Sequence, residues 1–425
     1  MSASVWILTA GFAALVILGV PFVFAIGLVV VAVITVADIP SMLLPQTMVA
    51  GTQSFSLLGI PFFMLAGELM SAGGLSRRLI AVADVCVRHL LGGLGHVTIV
   101  AACIFAAISG SAPATTAAIG SAMIPAMAER GYSRPYATSL AVSAGVLAPL
   151  IPPSIAFIIW GVIAEQSIAQ LFLAGVIPGL IMAIGLSTIV IWRAHRDRIP
   201  QLPRATAAEV RRALRQGVWA LLAPVIVLGG IYGGVFTPTE AAAAACVYAA
   251  VVETLVYRQM SPRELFRLSQ TSSIMIATLM IVISMGSAMT WYLTLQQAPA
   301  AITSILADVP AWAVLAVVNV LFLIAGMFID PNSAVIIMAP LIAPAAAAAG
   351  LDPVHVGAVI VFNLAIGMVT PPFGLNLFIG ITTFRASYVE VVRAALPFIV
   401  LALVTLLLIT YIPSLVLWLP SLVQG

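Results

Sequence analysis

The sequence predicts an all-α, polytopic membrane protein. It is built from two inverted-topology repeats, each holding a re-entrant helical hairpin and a proline-broken transmembrane helix. Three observations carry this. Of 425 residues, 63% are hydrophobic and 7% charged, a balance soluble domains do not hold. Apolar segments of roughly 18–25 residues recur, long enough to cross ~30 Å of hydrocarbon. Second, ISGSAPATTAAIGSAMIPAM (108–127) places Ser, Thr, Gly and Pro inside an apolar chain, where unpaired backbone groups are costly. Third, Gly and Pro recur at an offset of 219 residues: Gly67/Gly286, Pro125/Pro344, Gly131/Gly350, Pro152–Pro153/Pro371–Pro372, Gly161/Gly380 and Pro178/Pro397. Composition alone predicts roughly one such coincidence.

The apolar segments are continuous, which excludes a β-barrel. The longest polar stretch, Arg193–Gln216, is a loop and not a soluble domain. MSASVWILTA lacks a basic leader and reads as a retained first helix. All 17 basic residues are Arg. Without Lys there is no P-loop, so no ATP is expected as a cofactor, and no Lys Schiff base. Cys86, Cys103 and Cys246 show no metal spacing. His96 and His355, near hairpin ends, read as capping or interfacial groups. No nucleic acid partner is expected.

The Arg clusters order the elements, because cytoplasmic loops collect positive charge. With every cluster inside, the N-terminus starts in the cytoplasm and Val5–Val36 exits as one crossing. Ser54–Met70 returns to Arg77–Arg78, and Leu79–Leu91 is an interfacial arm. Gly95–Ala128 has Arg at both ends, so it must enter and leave on one side. Pro135–Ala164 crosses outward, Leu171–Trp192 returns, Gly217–Phe236 exits and Ala241–Tyr257 returns. Thr271–Leu295 exits, Pro299–Val309 is a second arm, and Ala311–Ala349 is a hairpin from outside. Val354–Thr383 crosses inward and Leu396–Trp418 ends in the periplasm. Outer loops then hold Asp38, Glu165, Asp308 and Asp352, with no Arg. Residues 1–192 form the first repeat and 193–216 a basic loop. Residues 217–425 form a linking helix and the second repeat, upside down relative to the first.

Inverted repeats with broken helices mark secondary transporters, with a site near the midplane. Pro lacks an N–H. The Pro pairs therefore free the carbonyls of Ala148 and Pro149, and of Gly367 and Met368. Bound Na⁺ is one partner for them; water or neighbouring hydroxyls around a simple kink are the other. Ser109-Gly110-Ser111-Ala112-Pro113 and Asp330-Pro331-Asn332-Ser333 read as hairpin tips, each offering a helix N-terminus suited to a carboxylate. Asp330 is an intramembrane acid, a functional candidate by default, and alternatively a helix cap alone. Thr237-Pro238-Thr239-Glu240 reads as a capping box. Glu68 is placed near a cytoplasmic helix end, pairing or snorkelling. Asn363, Thr370 and Asn376 flank the second break, and Asn319 reads as interhelical glue.

ISGSAPATTAAIGSAMIPAM followed by ERGYSRPYA, then AGVLAPLIPPSIAFIIWG, LFLAGVIPG, GGVFTPTEAAA and DPVHVGAVIVFNLAIGMVTPPFGLNLFIG, resembles the large membrane subunit of the TRAP (tripartite ATP-independent periplasmic) transporters, DctM-like, across essentially the whole chain. The family's usual SGSSxA tip is SGSAPA here, which leaves the conformation at Pro113 open. The resemblance implies an elevator-type transporter of the ion-transporter superfamily, not an enzyme, in a bacterial or archaeal inner membrane. Its implied partners are a small four-helix membrane subunit and a periplasmic solute-binding protein. It implies coupling to Na⁺ and import of an organic acid: a C4-dicarboxylate, a sialic or other sugar acid, or a keto acid. The implied Na⁺ ligands are Ser109, Gly110, Ser111, Gly145, Ala148 and Pro149 at one site, and Gly326, Asp330, Gly367, Met368 and Thr370 at the other. Ser111, Ala112, Thr115, Asn332, Ser333 and Asn376 are the substrate-contact candidates. Besides a passive channel, which the paired Pro breaks and inverted hairpins disfavour, two alternatives stand beside this reading. One is a stand-alone Na⁺/dicarboxylate symporter of related architecture. The other is an intramembrane hydrolase with Ser111 as nucleophile, which lacks a base at membrane depth.

Overall fold

The computed structural model describes residues 3–306 and 309–422. Asp308, expected in an outer loop, lies outside them. The described residues are helical, with no strand. Among the described residues, eight helices are long and apolar enough to cross a membrane.

The repeat is visible as one order of helices played twice. The first pass runs Phe55–Ala72 (a 3₁₀ turn leading into an α-helix), Leu75–Val87, Gly93–Ser109, Ala112–Glu129, Arg134–Gly145, Ile155–Ile163 and Ile168–Arg196. The second runs Pro262–Leu295, Ala298–Leu306, Ala311–Phe328, Pro331–Ala348, Pro353–Gly367, Leu375–Phe384 and Tyr388–Tyr411. Each pass is thus a long helix, an arm, a two-helix hairpin, a helix broken at its Pro pair, and a closing helix. Both Pro–Pro bonds are cis. Ala207–Tyr232 and Pro238–Val251 link the passes.

The helices sort into two bundles. The two long helices and the linking pair pack among themselves, and the first arm lies between this group and the first hairpin. The hairpins, broken helices and closing helices form the other bundle. The second bundle buries a set of large aromatic side chains. Trp160, Phe157, Phe172, Phe362 and Phe398 are each at most 1% exposed, and Trp160 Nε1 donates to the Pro353 carbonyl at 3.0 Å. That bond ties the first broken helix to the second. Polar glue does the same nearby: Asn363 Nδ2 donates to the Asn319 carbonyl at 2.8 Å and Asn319 Nδ2 to Thr410 Oγ1 at 3.0 Å. His355 bonds the Ile409 carbonyl at 2.8 Å and His96 the Leu91 carbonyl at 3.1 Å, so both histidines serve structure.

Three sequence expectations change. Val5–Val36 is not one crossing. It is two 15-residue helices, Ala3–Ile17 and Phe22–Val36, turned at Gly19 (φ 80°) ahead of Pro21. They run antiparallel, since Gly11 faces Val29 across the turn. The apolar run hid the reversal because nothing polar marks it. The basic loop expected over 193–216 is helical at both ends, leaving 197–206 as connection. The last crossing starts at Tyr388, ends at Tyr411, and yields at Pro413 to a separate short helix, Ser414–Ser421. The capping box at Thr237 forms as expected, with Glu240 N donating to Thr237 Oγ1 and Thr237 N to Glu240 Oε2.

Candidate functional site

The two hairpin tips meet. Gly110 takes a left-handed conformation (φ 58°) that ends Gly93–Ser109 and turns the chain. Ser111 then caps the next helix, its Oγ accepting from Ala114 N at 3.4 Å, with Pro113 in the first turn. Pro113 therefore fits the tip, because its missing N–H lies where a helix has no acceptor for one. On the other tip the Asp330 carboxylate accepts from Asn332 N at 3.0 Å and Ser333 N at 3.1 Å.

Between the tips lies a cavity of about 200 Å³. Its walls bring together Ser109, Gly110, Ser111 and Ala112 from the first tip, Asp330 and Asn332 from the second, and Pro149 and Met368 from the breaks. Among the described residues, no Arg, Lys or His lines it. It thus gathers both copies of the repeat at one point and presents hydroxyls, an amide and helix N-termini.

Other expected residues sit behind this surface. Thr115 is fully buried and shares a hydrogen bond with Ser109 Oγ at 3.1 Å. Ser333 is buried beneath the second tip and Asn376 behind the first break. Around Gly145, Ala112, Thr116 and Asn376 converge inside the protein. A Cβ there would lie 3.1 Å from the Ala112 carbonyl oxygen and 2.9 Å from Asn376 Nδ2, and would collide with Thr116 Oγ1. Thr116 Oγ1 and Asn376 Oδ1 are buried with no hydrogen-bond partner among the described residues, an arrangement that is uncommon for buried polar atoms. The Ala148 and Pro149 carbonyls likewise receive no donor among the described residues, and oxygens left without donors are the ligand type a hard cation takes. Thr116 escaped sequence reasoning, since nothing in ATTAAIG separates an inward from an outward Thr.

The second break is used differently. Gly326 packs directly on Gly367. Yet the Gly367 carbonyl accepts from Thr370 N at 3.0 Å and the Met368 carbonyl from Asn376 N at 2.9 Å. Thr370 Oγ1 donates to the Ile366 carbonyl at 2.8 Å. The expectation of two free carbonyls holds for the first Pro pair and not for the second, because Thr370 N, just before the Pro pair, serves Gly367, and the chain after Pro372 folds back to bring Asn376 N to Met368. Asn363 faces Asn319 and is away from the cavity lining. Glu68, expected to pair or snorkel at a helix end, instead lines the cavity, with Met64, Gly67 and Met275 beside it.

Known proteins share this architecture. The family model of the tripartite ATP-independent periplasmic transporter, DctM component, matches residues 9–415. A C4-dicarboxylate TRAP transporter large permease protein of Pseudomonas aeruginosa is 40% identical over 372 residues, 87% of each chain. The ectoine/5-hydroxyectoine TRAP transporter large permease protein of Ruegeria pomeroyi is 40% identical over 379 residues, 89% of each chain. Among solved structures, the YdaH transporter of Alcanivorax borkumensis shares the fold at TM-score 0.60 and 15% identity, over 86% of each chain. Both relatives are named as transporter permeases, which speaks for transport and against the hydrolase alternative. The chain belongs to the DctM family, the large permease component of tripartite ATP-independent periplasmic transporters.

Proposed function

We propose that this permease imports a small carboxylate-bearing solute, driven by co-transported Na⁺, with the cavity between the hairpin tips as the substrate site. The observation that carries the reading is the convergence of two opposed helix N-termini on one cavity with no basic side chain. Helix ends and hydroxyls hold a carboxylate weakly enough to release it, and tight capture then belongs to a separate periplasmic binding protein. The relatives are named for C4-dicarboxylates and for ectoines, so family membership leaves the solute open.

Na⁺ is assigned first to the interior around Gly145, from Ser109–Ser111, Ala148, Pro149, Thr116 and Asn376. A second ion is assigned to Gly326, Asp330, Gly367, Met368 and Thr370, where most oxygens already have donors and the site must rearrange to bind. The bundle holding both tips moves as the elevator against the other, and the arms are its bridges. Partners are a small four-helix membrane subunit and the binding protein. With the Arg clusters facing the cytoplasm of an inner membrane, the N-terminal helix pair returns the chain to its starting side. The N-terminus is then periplasmic, contrary to the single-crossing expectation, and the C-terminus is periplasmic too.

The test is uptake of labelled organic acids into proteoliposomes holding this chain and the small subunit, with and without an inward Na⁺ gradient and the binding protein. Uptake that needs both supports the reading. Uptake with Na⁺ but without the binding protein moves the chain to the stand-alone symporter, and uptake indifferent to Na⁺ removes the coupling.

A further inference from the structure

Glu68 has no role in the account above, yet it lines the central cavity together with residues of both tips. It is half-buried. It makes no hydrogen bond or ion pair with any described residue, whereas Asp330, the other acid of the cavity, turns its carboxylate onto two N–H groups of its own helix. The nearest basic residues along the chain, Arg77 and Arg78, lie beyond Gly73–Gly74, and Arg78 is stacked on the Tyr257 ring at 3.5 Å. An unpaired carboxylate at membrane depth is expensive and calls for a counter-charge. The rest of the wall is complementary in another sense. The tips offer helix N-termini and the hydroxyls of Ser109 and Ser111, while Met64, Met275, Ile155 and Ala156 supply an apolar flank.

We infer that Glu68 is the counter-charge for a cationic group on the transported solute. The preferred substrate is then a zwitterion, with an ammonium or amidinium group at Glu68 and a carboxylate at the tips, and not a dianion. This rests on the reading of the cavity as the substrate site. A dianion would place a second negative charge beside Glu68 with no Arg to offset it. A zwitterion opposes Glu68 with its cationic end and meets the helix N-termini of the tips with its carboxylate. Glu68 lies on the long helix of the first repeat and the tips lie on the other bundle, so the solute bridges the two bundles through its two opposite charges.

The test measures direct binding to the full chain with its small subunit in nanodiscs at saturating Na⁺, leaving out the binding protein so that its own selectivity does not filter the probes. Probes are glycine betaine, β-alanine and γ-aminobutyrate against succinate and malate, read as thermal stabilisation across a concentration series. Wild type should respond to zwitterions and not to the diacids. Glu68→Gln, which keeps shape and removes charge, should raise the half-saturating zwitterion concentration about tenfold or more, the scale of one close charge pair in a partly shielded site. It should also let succinate bind, while Glu68→Asp retains the wild-type preference. A wild type that answers succinate as well as the zwitterions, or none of the zwitterions, overturns the charge assignment, as does an unchanged zwitterion response in Glu68→Gln. Ala112→Leu, which fills the cavity from the tip, separates the two readings. If it abolishes binding and Glu68→Gln does not alter it, only the role of Glu68 fails. If it leaves binding untouched, the cavity itself is not the site.

Discussion

Asp330 holds two roles that a pair of substitutions can separate. Its carboxylate caps Pro331–Ala348, and in the proposed function its charge serves Na⁺. Asn is as good a cap as Asp, whereas Ala costs the helix about 1 kcal/mol. Asp330→Asn should therefore keep thermal stability and raise the Na⁺ concentration needed for half-maximal uptake. Asp330→Ala should lose both. If Asp330→Asn transports with the wild-type Na⁺ dependence, the residue is a cap and nothing more. A second test lies behind the first tip. Thr116→Val removes a buried hydroxyl that has no protein partner, so on packing grounds alone it should be nearly neutral or stabilising. The expected outcome is instead a loss of the Na⁺-induced rise in melting temperature, because the hydroxyl serves the ion; retention of that rise would take Thr116 out of the ion site. Asp330 could be singled out from the sequence because an acid beside Pro in an apolar run is chemically conspicuous. Thr116 and Glu68 could not, because their roles depend on which way a helix is rotated.

At the scale of elements, the first arm is held by contacts of unequal worth. At its N-terminus, Glu253 is fully buried and accepts from Gly74 N and Leu75 N, both at 2.8 Å. At its other end, Arg88 pairs with Glu209 at 2.9 Å and Asp84 at 3.3 Å, where Glu209 is 44% exposed. Solvent-exposed pairs contribute ~0–1 kcal/mol. A buried charged hydrogen bond contributes ~1.5–3 kcal/mol, and losing it strands N–H groups as well. Glu253→Gln, which turns an amide NH₂ toward one of those N–H donors, should thus lower stability in nanodiscs by about 2 kcal/mol. Arg88→Ala should change it by under ~1 kcal/mol. Equal melting shifts for the two variants would refute this ranking of the arm's anchors. The same scale explains the misplaced boundaries. Hydropathy locates the part of a helix in hydrocarbon, not its ends. Pro262–Leu295 carries Arg263 and Arg267 on its first turns and runs 34 residues, about 51 Å at 1.5 Å per residue, well beyond the bilayer core.

At the scale of the molecule, the repeated Gly67 and Gly286 acquire a common cause. Each sits on the long helix of its repeat and faces its own hairpin. A Cβ on Gly67 would lie 3.1 Å from Ser109 Cα, and one on Gly286 would run into the Ile336 side chain. These are the close approaches between the two bundles, where any relative movement must slide. Overpacking such a contact costs ~1–3 kcal/mol, enough to shift a conformational equilibrium about tenfold per 1.4 kcal/mol. Gly67→Leu should depress uptake while the protein still folds and still gains stability from Na⁺. Normal uptake in that variant would mean the contact is not a moving surface.

By itself the sequence determined the membrane class, the two hairpins, both proline breaks and the inverted repeat. Those features are written locally, in continuous apolarity, in Gly and Pro punctuation, and in the clustering of Arg. Only the tertiary structure decided that the two tips share one cavity, that Glu68 faces it, and that Thr116 and Asn376 point inward around Gly145. It also decided that Val5–Val36 folds back on itself, and that the carbonyls of the second break already have donors. Each of these depends on helix rotation or on contacts between residues far apart in the chain. In an almost uniformly apolar sequence, no polar face marks which side of a helix is buried.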